Sequence, residues 1–180
     1  VVYFLFVPKF IYKPQEHLIL AVVFIGSYVF PVVLLMLLKR FGMINSYHME
    51  SIEERKFPTL LFISISYIIG NWLFKSNVVD LLALIYYGYG LALIFSYILL
   101  YFQIKISLHT AAISGLIGFL IYFSYFYKIN LIIILAVLFA LSGIIGSSRL
   151  KLKAHNLKEV GLGYVIGLSS QFIVYMIYII

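Results

Sequence analysis

Residues 148–159, which read SRLKLKAHNLKE, form a polar stretch that separates two long apolar runs. It holds a histidine, several basic residues and an acid in a chain of which only 11% of residues are charged. Arg149 offers a planar fork of donors that matches a phosphate or a carboxylate. If the stretch is helical, His155 and Glu159 lie on one face, one turn apart, and the carboxylate can hold the imidazole in one tautomer. For its lysines, the simpler interpretation is a basic loop at lipid headgroups.

The composition predicts an integral membrane protein. Hydrophobic residues make up 64% of the 180 residues, and the mean hydropathy is +1.12, well above that of a soluble domain. The chain has no cysteine, which excludes disulfides and thiolate metal sites. Its formal charge of +7 lies in short clusters between apolar runs, which suits anionic lipid headgroups and phosphate-bearing lipids as partners rather than nucleic acid.

The apolar runs predict an all-α bundle of about six transmembrane helices. A helix needs about 20 apolar residues to cross a bilayer. Spans of that kind are expected at residues 17–38, 58–74, 81–102, 108–127, 131–147 and 160–180. Residues 17–180 are therefore expected to form one membrane domain. Residues 1–16 are expected to be an apolar N-terminal segment, either the end of a truncated span or an interfacial helix.

Six spans place alternate connections on alternate sides of the membrane. The polar breaks at 39–57, 103–109 and 148–159 then share one side, and the short breaks at 75–80 and 128–130 share the other. Of the 13 Lys and Arg residues, nine belong to the first side. The three polar breaks can therefore build one site together, whereas the two short turns cannot reach it.

The third break resembles the third signature of the phosphatidic acid phosphatase type 2 superfamily, which includes lipid phosphatases and relatives of the vanadium haloperoxidases. Ser148, Arg149 and His155 match that signature, and Glu159 stands where an aspartate is usual. The sequence looks like a divergent bacterial branch of the superfamily, and on that resemblance we expect it in the bacterial inner membrane.

The second break carries half of the superfamily's second signature, Pro-Ser-Gly-His. Ser107 and His109 fall where its serine and histidine would be, at the predicted start of a helix, where free backbone N–H groups can bind an anion. Ile106 and Leu108 replace the proline and the glycine, and the glycine normally lets backbone approach a phosphate closely. The structural alternative is that His109 is simply a hydrogen-bonded histidine at a helix start.

The first break departs from the superfamily's first signature, which is a lysine, six residues, then Arg-Pro. Phe57 precedes Pro58, and Glu50 stands where the lysine would be. Arg55 and Lys56 could supply the cations from shifted positions. The alternative is a charged loop in which neighbouring glutamates balance these two cations. The same loop holds two residues that we do not expect to be catalytic, His48 and Glu50.

The resemblance implies a metal-independent lipid phosphatase that needs no cofactor and acts on a lipid phosphomonoester or diphosphate. Carried over, His155 attacks phosphorus to form a phosphohistidine, and Glu159 orients its ring. His109 protonates the leaving alkoxide and then helps to activate water. The remaining implied residues bind the phosphoryl group: Arg149 with Arg55, Lys56 or Lys105 as cations, and Ser148 and Ser107 as hydrogen-bond donors. Several cations around one histidine suffice for phosphoryl transfer, because its catalysis is mostly positioning and electrostatic stabilisation.

Two other functions are compatible with the sequence. A catalytically inactive relative would act as a membrane binding or scaffold protein, which the departures in the first two signatures favour. A small transporter would need polar groups within its spans, for which Asn71, Ser64, Ser66 and Gln171 are the candidates. The lipid (phosphatidic acid, phosphatidylglycerol phosphate, an isoprenyl diphosphate or lipid A), the membrane face of the site and the oligomeric state are left open.

Overall fold

The computed structural model describes residues 2–7, 11–47, 49, 51–76 and 79–179, which form helices and short connections without a β-strand. His48 and Glu50 lie outside the described residues. The helices of the described part are α1 (Val2–Phe6), α2 (Lys13–Arg40, with a π-helical turn at Ile25–Val29), α3 (Ile52–Lys75), α4 (Asp80–Tyr101), α5 (Leu108–Tyr127), α6 (Ile132–Lys151) and α7 (Leu157–Ile179). Helices α2 to α7 are each long and apolar enough to cross a membrane. The predicted all-α class and the prediction of an integral membrane protein are therefore confirmed.

The helices extend beyond the apolar runs into charged turns. Helix α3 begins at Ile52 rather than at residue 58, so Arg55 and Lys56 lie in its first turns and not in a loop. The Ser51 hydroxyl caps this start by accepting a hydrogen bond from the Glu54 N–H at 3.2 Å. Hydropathy marks where the hydrocarbon layer begins, whereas backbone hydrogen bonds and caps decide where a helix begins.

Helices α2, α4 and α6, which end on the side of the polar breaks, all terminate in a Schellman motif. In each, one residue adopts a left-handed conformation: Gly42 (φ 72°), Gln103 (φ 60°) and Lys153 (φ 52°). The next N–H then bonds back to the fifth residue before it, as Ala154 N–H does to the Arg149 carbonyl at 3.1 Å. This sharp reversal keeps the connections short and directs the chain back across the bundle end.

The core lies where α4, α5 and α7 pack together. On the face of α7 that meets α5, glycines leave a groove without side chains. A Cβ added at Gly163 would lie 2.5 Å from the Ser107 carbonyl oxygen, and one at Gly167 would overlap the Ala111 carbonyl. These two glycines therefore serve close helix packing. At Gly143, by contrast, an added Cβ would have nothing within 4 Å in the described part of the chain.

Two further hydrogen bonds join α7 to α4, farther from the polar breaks. Gln171 is fully buried, and its Nε2 donates to the Ile85 carbonyl oxygen at 3.1 Å, which ties α7 to α4. The Tyr178 hydroxyl donates to Asp80 at 3.2 Å, which joins the end of α7 to the start of α4 on the side away from the polar breaks. From the sequence, Gln171 is a candidate polar residue for a transport path. In the structure its side chain joins two packed helices.

Candidate active site

The starts of α5 and α7 are joined by two hydrogen bonds, one between backbone groups and one from a side chain to the backbone. The Ser107 N–H donates to the Glu159 carbonyl oxygen at 3.1 Å, and the Thr110 hydroxyl donates to the Val160 carbonyl oxygen at 3.1 Å. The close approach at Gly163 permits both contacts. They hold the second and third polar breaks against each other and bring His109, in the first turn of α5, to the end of the bundle that carries His155.

A hydrogen-bonded pair, His155 and Glu159, forms the centre of this end of the bundle. His155 Nδ1 lies 2.7 Å from Glu159 Oε2, and only 6% and 14% of the two side chains are exposed. A carboxylate oxygen is a hydrogen-bond acceptor, so this contact favours the tautomer with the proton on Nδ1, which leaves the lone pair on Nε2. This is the electronic arrangement of a nucleophilic imidazole.

The pair does not form in the way that the helical interpretation of residues 148–159 predicts. Helix α6 ends at Lys151, the chain reverses at Lys153, and α7 begins only at Leu157. His155 therefore precedes α7 and reaches Glu159 across the first turn of that helix, rather than along one helical face. The Schellman turn interrupts the helix, and its left-handed residue is a lysine, so the glycine that usually signals such a stop is missing.

The Glu159 carboxylate is also fixed by Asn156, the residue that caps α7. Glu159 N–H donates to Asn156 Oδ1 at 2.9 Å, and Asn156 Nδ2 donates back to Glu159 Oε1 at 3.1 Å. The two residues form a capping box, in which a capping residue is followed three positions later by a glutamate. That spacing is the sequence signal that could have predicted both the start of α7 and the role of Asn156.

Three cations interact electrostatically with one or both histidines. Arg55 donates from Nε to the Met49 carbonyl oxygen at 2.7 Å, and its charge interacts with Glu159 and with both histidines. Lys105 acts on His155, and Arg149 acts on His109, which also interacts with His155. These charge interactions place residues from all three polar breaks in one electrostatic neighbourhood.

The Arg149 guanidinium has a hydrogen-bond donor without an acceptor among the described residues. Its Nε is buried and has no hydrogen-bond partner among the described residues. A buried, unpaired guanidinium nitrogen is costly, because the group loses hydration without compensation. An anion bound between Arg149 and the histidines would supply the missing acceptor.

Burial lowers the pKa of the His155 imidazole below its ordinary value of 6.5. The hydrogen bond and the charge of Glu159 raise that pKa, while Arg55 and Lys105 lower it, and the net shift is downward. This downward shift favours the neutral imidazole, which is the state that a nucleophile requires.

The other predicted binding residues are engaged elsewhere. The Lys56 ammonium lies 2.7 Å from a Glu53 carboxylate oxygen and 5.0 Å from the centre of the Tyr101 ring, which is the charge balance of the structural alternative. The Ser148 hydroxyl donates to the Ile144 carbonyl oxygen at 2.8 Å. Ser107 is fully buried, and its hydroxyl caps α5. For these three residues, substrate binding stays a prediction from the resemblance.

A large cleft adjoins the polar cluster and was not predicted from the sequence. It has a volume of about 570 Å³, lies between α2, α3, α4 and α5, and is lined mainly by apolar side chains. His109 and Leu108, at the start of α5, are among the residues that line it. The cleft thus connects a histidine of the polar cluster with the membrane-spanning part of the bundle.

A scan against protein-family models and searches of curated proteins and of solved structures gave no significant match for this chain. Its function is therefore inferred from the geometry and the charges of the site.

Proposed function

We propose that this protein is a metal-independent lipid-phosphate phosphatase of the membrane, which works through a phosphohistidine. One observation carries the proposal: the His155–Glu159 pair shares a neighbourhood with His109 and three cations, and one of these cations, Arg149, has a buried nitrogen with no hydrogen-bond partner among the described residues. On the resemblance described above, we place the protein in a bacterial inner membrane.

With these residues, the reaction can proceed in two displacements at phosphorus, the first by His155 and the second by water. The Nε2 lone pair of His155 attacks phosphorus, the bond from phosphorus to the lipid oxygen breaks, and His109 in its protonated form gives that oxygen a proton. Water then attacks the phosphohistidine while the neutral His109 takes a proton from it, and inorganic phosphate leaves. His155 and His109 both return to their starting forms, so atoms and protons balance over the cycle.

The charges of the site suit a phosphoryl group. Among the described residues, the three cations Arg55, Lys105 and Arg149 outnumber by one the two carboxylates that interact with this cluster, Glu159 and Glu54. A phosphomonoester carries a charge of about −1.5 to −2 near neutral pH. Fixed cations of this kind stabilise the charge that spreads over the phosphoryl oxygens in the transition state, where they contribute most to catalysis.

The cleft beside His109 supports a lipid as the substrate. Its volume of about 570 Å³ falls within the range of pockets that hold small molecules, roughly 300–1,000 Å³. A phosphate held among the cations would place the attached apolar chain at the His109 end of the cleft. A soluble phosphate ester would gain nothing from these apolar walls.

The deciding experiment is phosphate release from a panel of lipid phosphates, measured in detergent with EDTA present. Wild type is compared with His155→Ala and with His17→Ala, a matched control because His17 is exposed at the opposite end of the bundle. We expect release by wild type and by the His17 variant and none by the His155 variant. Equal release by all three would exclude His155 as the nucleophile. Tight binding of a lipid phosphate without release would instead support the inactive binding protein.

A further inference from the structure

We propose that Asn156 is a positioning residue, which clamps one oxygen of Glu159 so that the other is presented to His155. This inference rests on the proposed function, because it concerns the same nucleophile. It goes beyond the resemblance, which assigns nothing to position 156.

The two carboxylate oxygens of Glu159 have separate partners. Oε2 lies 2.7 Å from His155 Nδ1, and Oε1 accepts from Asn156 Nδ2 at 3.1 Å. The Asn156 backbone N–H lies 3.4 Å from Oε2, on the same side as the imidazole. A glutamate side chain has several rotatable bonds. Without the Asn156 amide, the carboxylate would be held at Oε2 alone, by His155 and the Asn156 N–H, and it could rotate about that oxygen. The amide of Asn156 removes that freedom.

The clamp must be distinguished from a cap, since Asn156 performs both tasks. Its Oδ1 accepts from the Glu159 N–H at 2.9 Å, which is the capping contact, whereas its Nδ2 makes the clamping contact. Serine and aspartate cap helices about as well as asparagine. Neither has a side-chain amide that donates, and aspartate places a second negative charge beside Glu159.

The substitutions Asn156→Ser and Asn156→Asp therefore separate the two tasks. If Asn156 clamps Glu159, both variants keep the thermal stability of wild type, and kcat falls about tenfold or more, as it does when a supporting hydrogen bond behind a reactive group is removed. KM stays near its wild-type value, because Asn156 contacts no substrate in this scheme. Unchanged kcat in both variants, with a loss of stability in Asn156→Ala, would show that Asn156 is only a cap and overturn the proposal.

A spectroscopic measurement tests the clamp without activity. Protein labelled with ¹⁵N-histidine in micelles reports by NMR which ring nitrogen of each neutral imidazole carries the proton, and a His155→Gln variant identifies the signal of His155. We expect the Nδ1–H tautomer in wild type and a shift toward Nε2–H in Asn156→Ser. An unchanged tautomer in that variant would contradict the clamp. If wild type releases no phosphate, the proposed function fails, and the NMR result still decides whether the clamp exists.

Discussion

The Ser107 N–H donates to the carbonyl oxygen of Glu159, 52 positions later in the chain, at 3.1 Å. This hydrogen bond joins the second and third polar breaks. Ser107 caps the helix that carries His109, and Glu159 belongs to the helix start that holds His155. Together with the hydrogen bond from the Thr110 hydroxyl to the Val160 carbonyl oxygen, the Ser107–Glu159 hydrogen bond holds the two helix starts that carry the histidines against each other. The glycine groove on α7 is the condition for it, since a side chain there would separate the helices.

The first prediction concerns that groove. Gly167→Ala should destabilise the protein by about 1–3 kcal/mol, because the new methyl group overlaps the Ala111 carbonyl and overpacks the interface. It should also reduce phosphatase activity by moving α5 away from α7. The matched control is Gly161→Ala, since nothing in the described structure lies within 4 Å of a Cβ at that position. A thermal unfolding midpoint in detergent that falls equally in both variants would contradict the packing argument.

The second prediction concerns the pH dependence of the reaction. Only neutral His155 can attack, and neutral imidazole is lost as the pH falls through its pKa. Because burial lowers that pKa, the acid limb of kcat/KM should lie below pH 6.5. A pH–rate profile of the purified enzyme checks this, and an acid limb clearly above 6.5 would mean that His155 is not the group observed or is not buried.

The third prediction is that Glu159→Gln lowers kcat/KM by on the order of 10²-fold or more, since the imidazole loses its tautomer and orientation. The carboxylate raises the pKa of His155, so its removal should also move the acid limb to still lower pH. Glu53→Gln is the control: Glu53 is exposed and pairs with Lys56. If the Glu159 and Glu53 variants lose activity equally, the effect belongs to general surface charge.

The fourth prediction concerns the phosphate-binding cation. Arg149→Ala should weaken inhibition by inorganic phosphate or vanadate by about 10- to 100-fold, the loss expected for a hydrogen bond to a charged group of about 1.5–3 kcal/mol. Lys151→Ala removes a charge from the same helix end at an exposed position and should change inhibition little. Similar losses in both variants would indicate that a diffuse positive potential attracts the phosphate, rather than a specific contact.

The fifth prediction separates two neighbouring cations. Arg55→Ala should raise KM for a lipid phosphate, because its guanidinium interacts with both histidines. Lys56→Ala should change KM much less, because its ammonium is paired with Glu53. The Michaelis constants of the two variants check this directly, and a larger effect at Lys56 would reverse the assignment.

The sequence alone could predict six membrane-spanning helices. It could also predict that the three polar breaks lie at the same end of the bundle. Both follow from the cost of placing polar groups in hydrocarbon, a property that each stretch of chain carries on its own. The choice of His155, Glu159, His109 and Arg149 as site residues comes from the resemblance of two polar breaks to family signatures, and their chemical role stays a prediction.

The way in which these residues meet could not be predicted, because it depends on the tertiary structure. The packed bundle places Arg55 in the first turns of a helix beside Glu159, pairs its neighbour Lys56 with Glu53, and buries Ser107 beneath the junction of α5 and α7. It also opens the cleft beside His109, which no local pattern indicates. These outcomes depend on how closely distant helices cross and where their ends are capped, and such contacts join residues far apart in the chain.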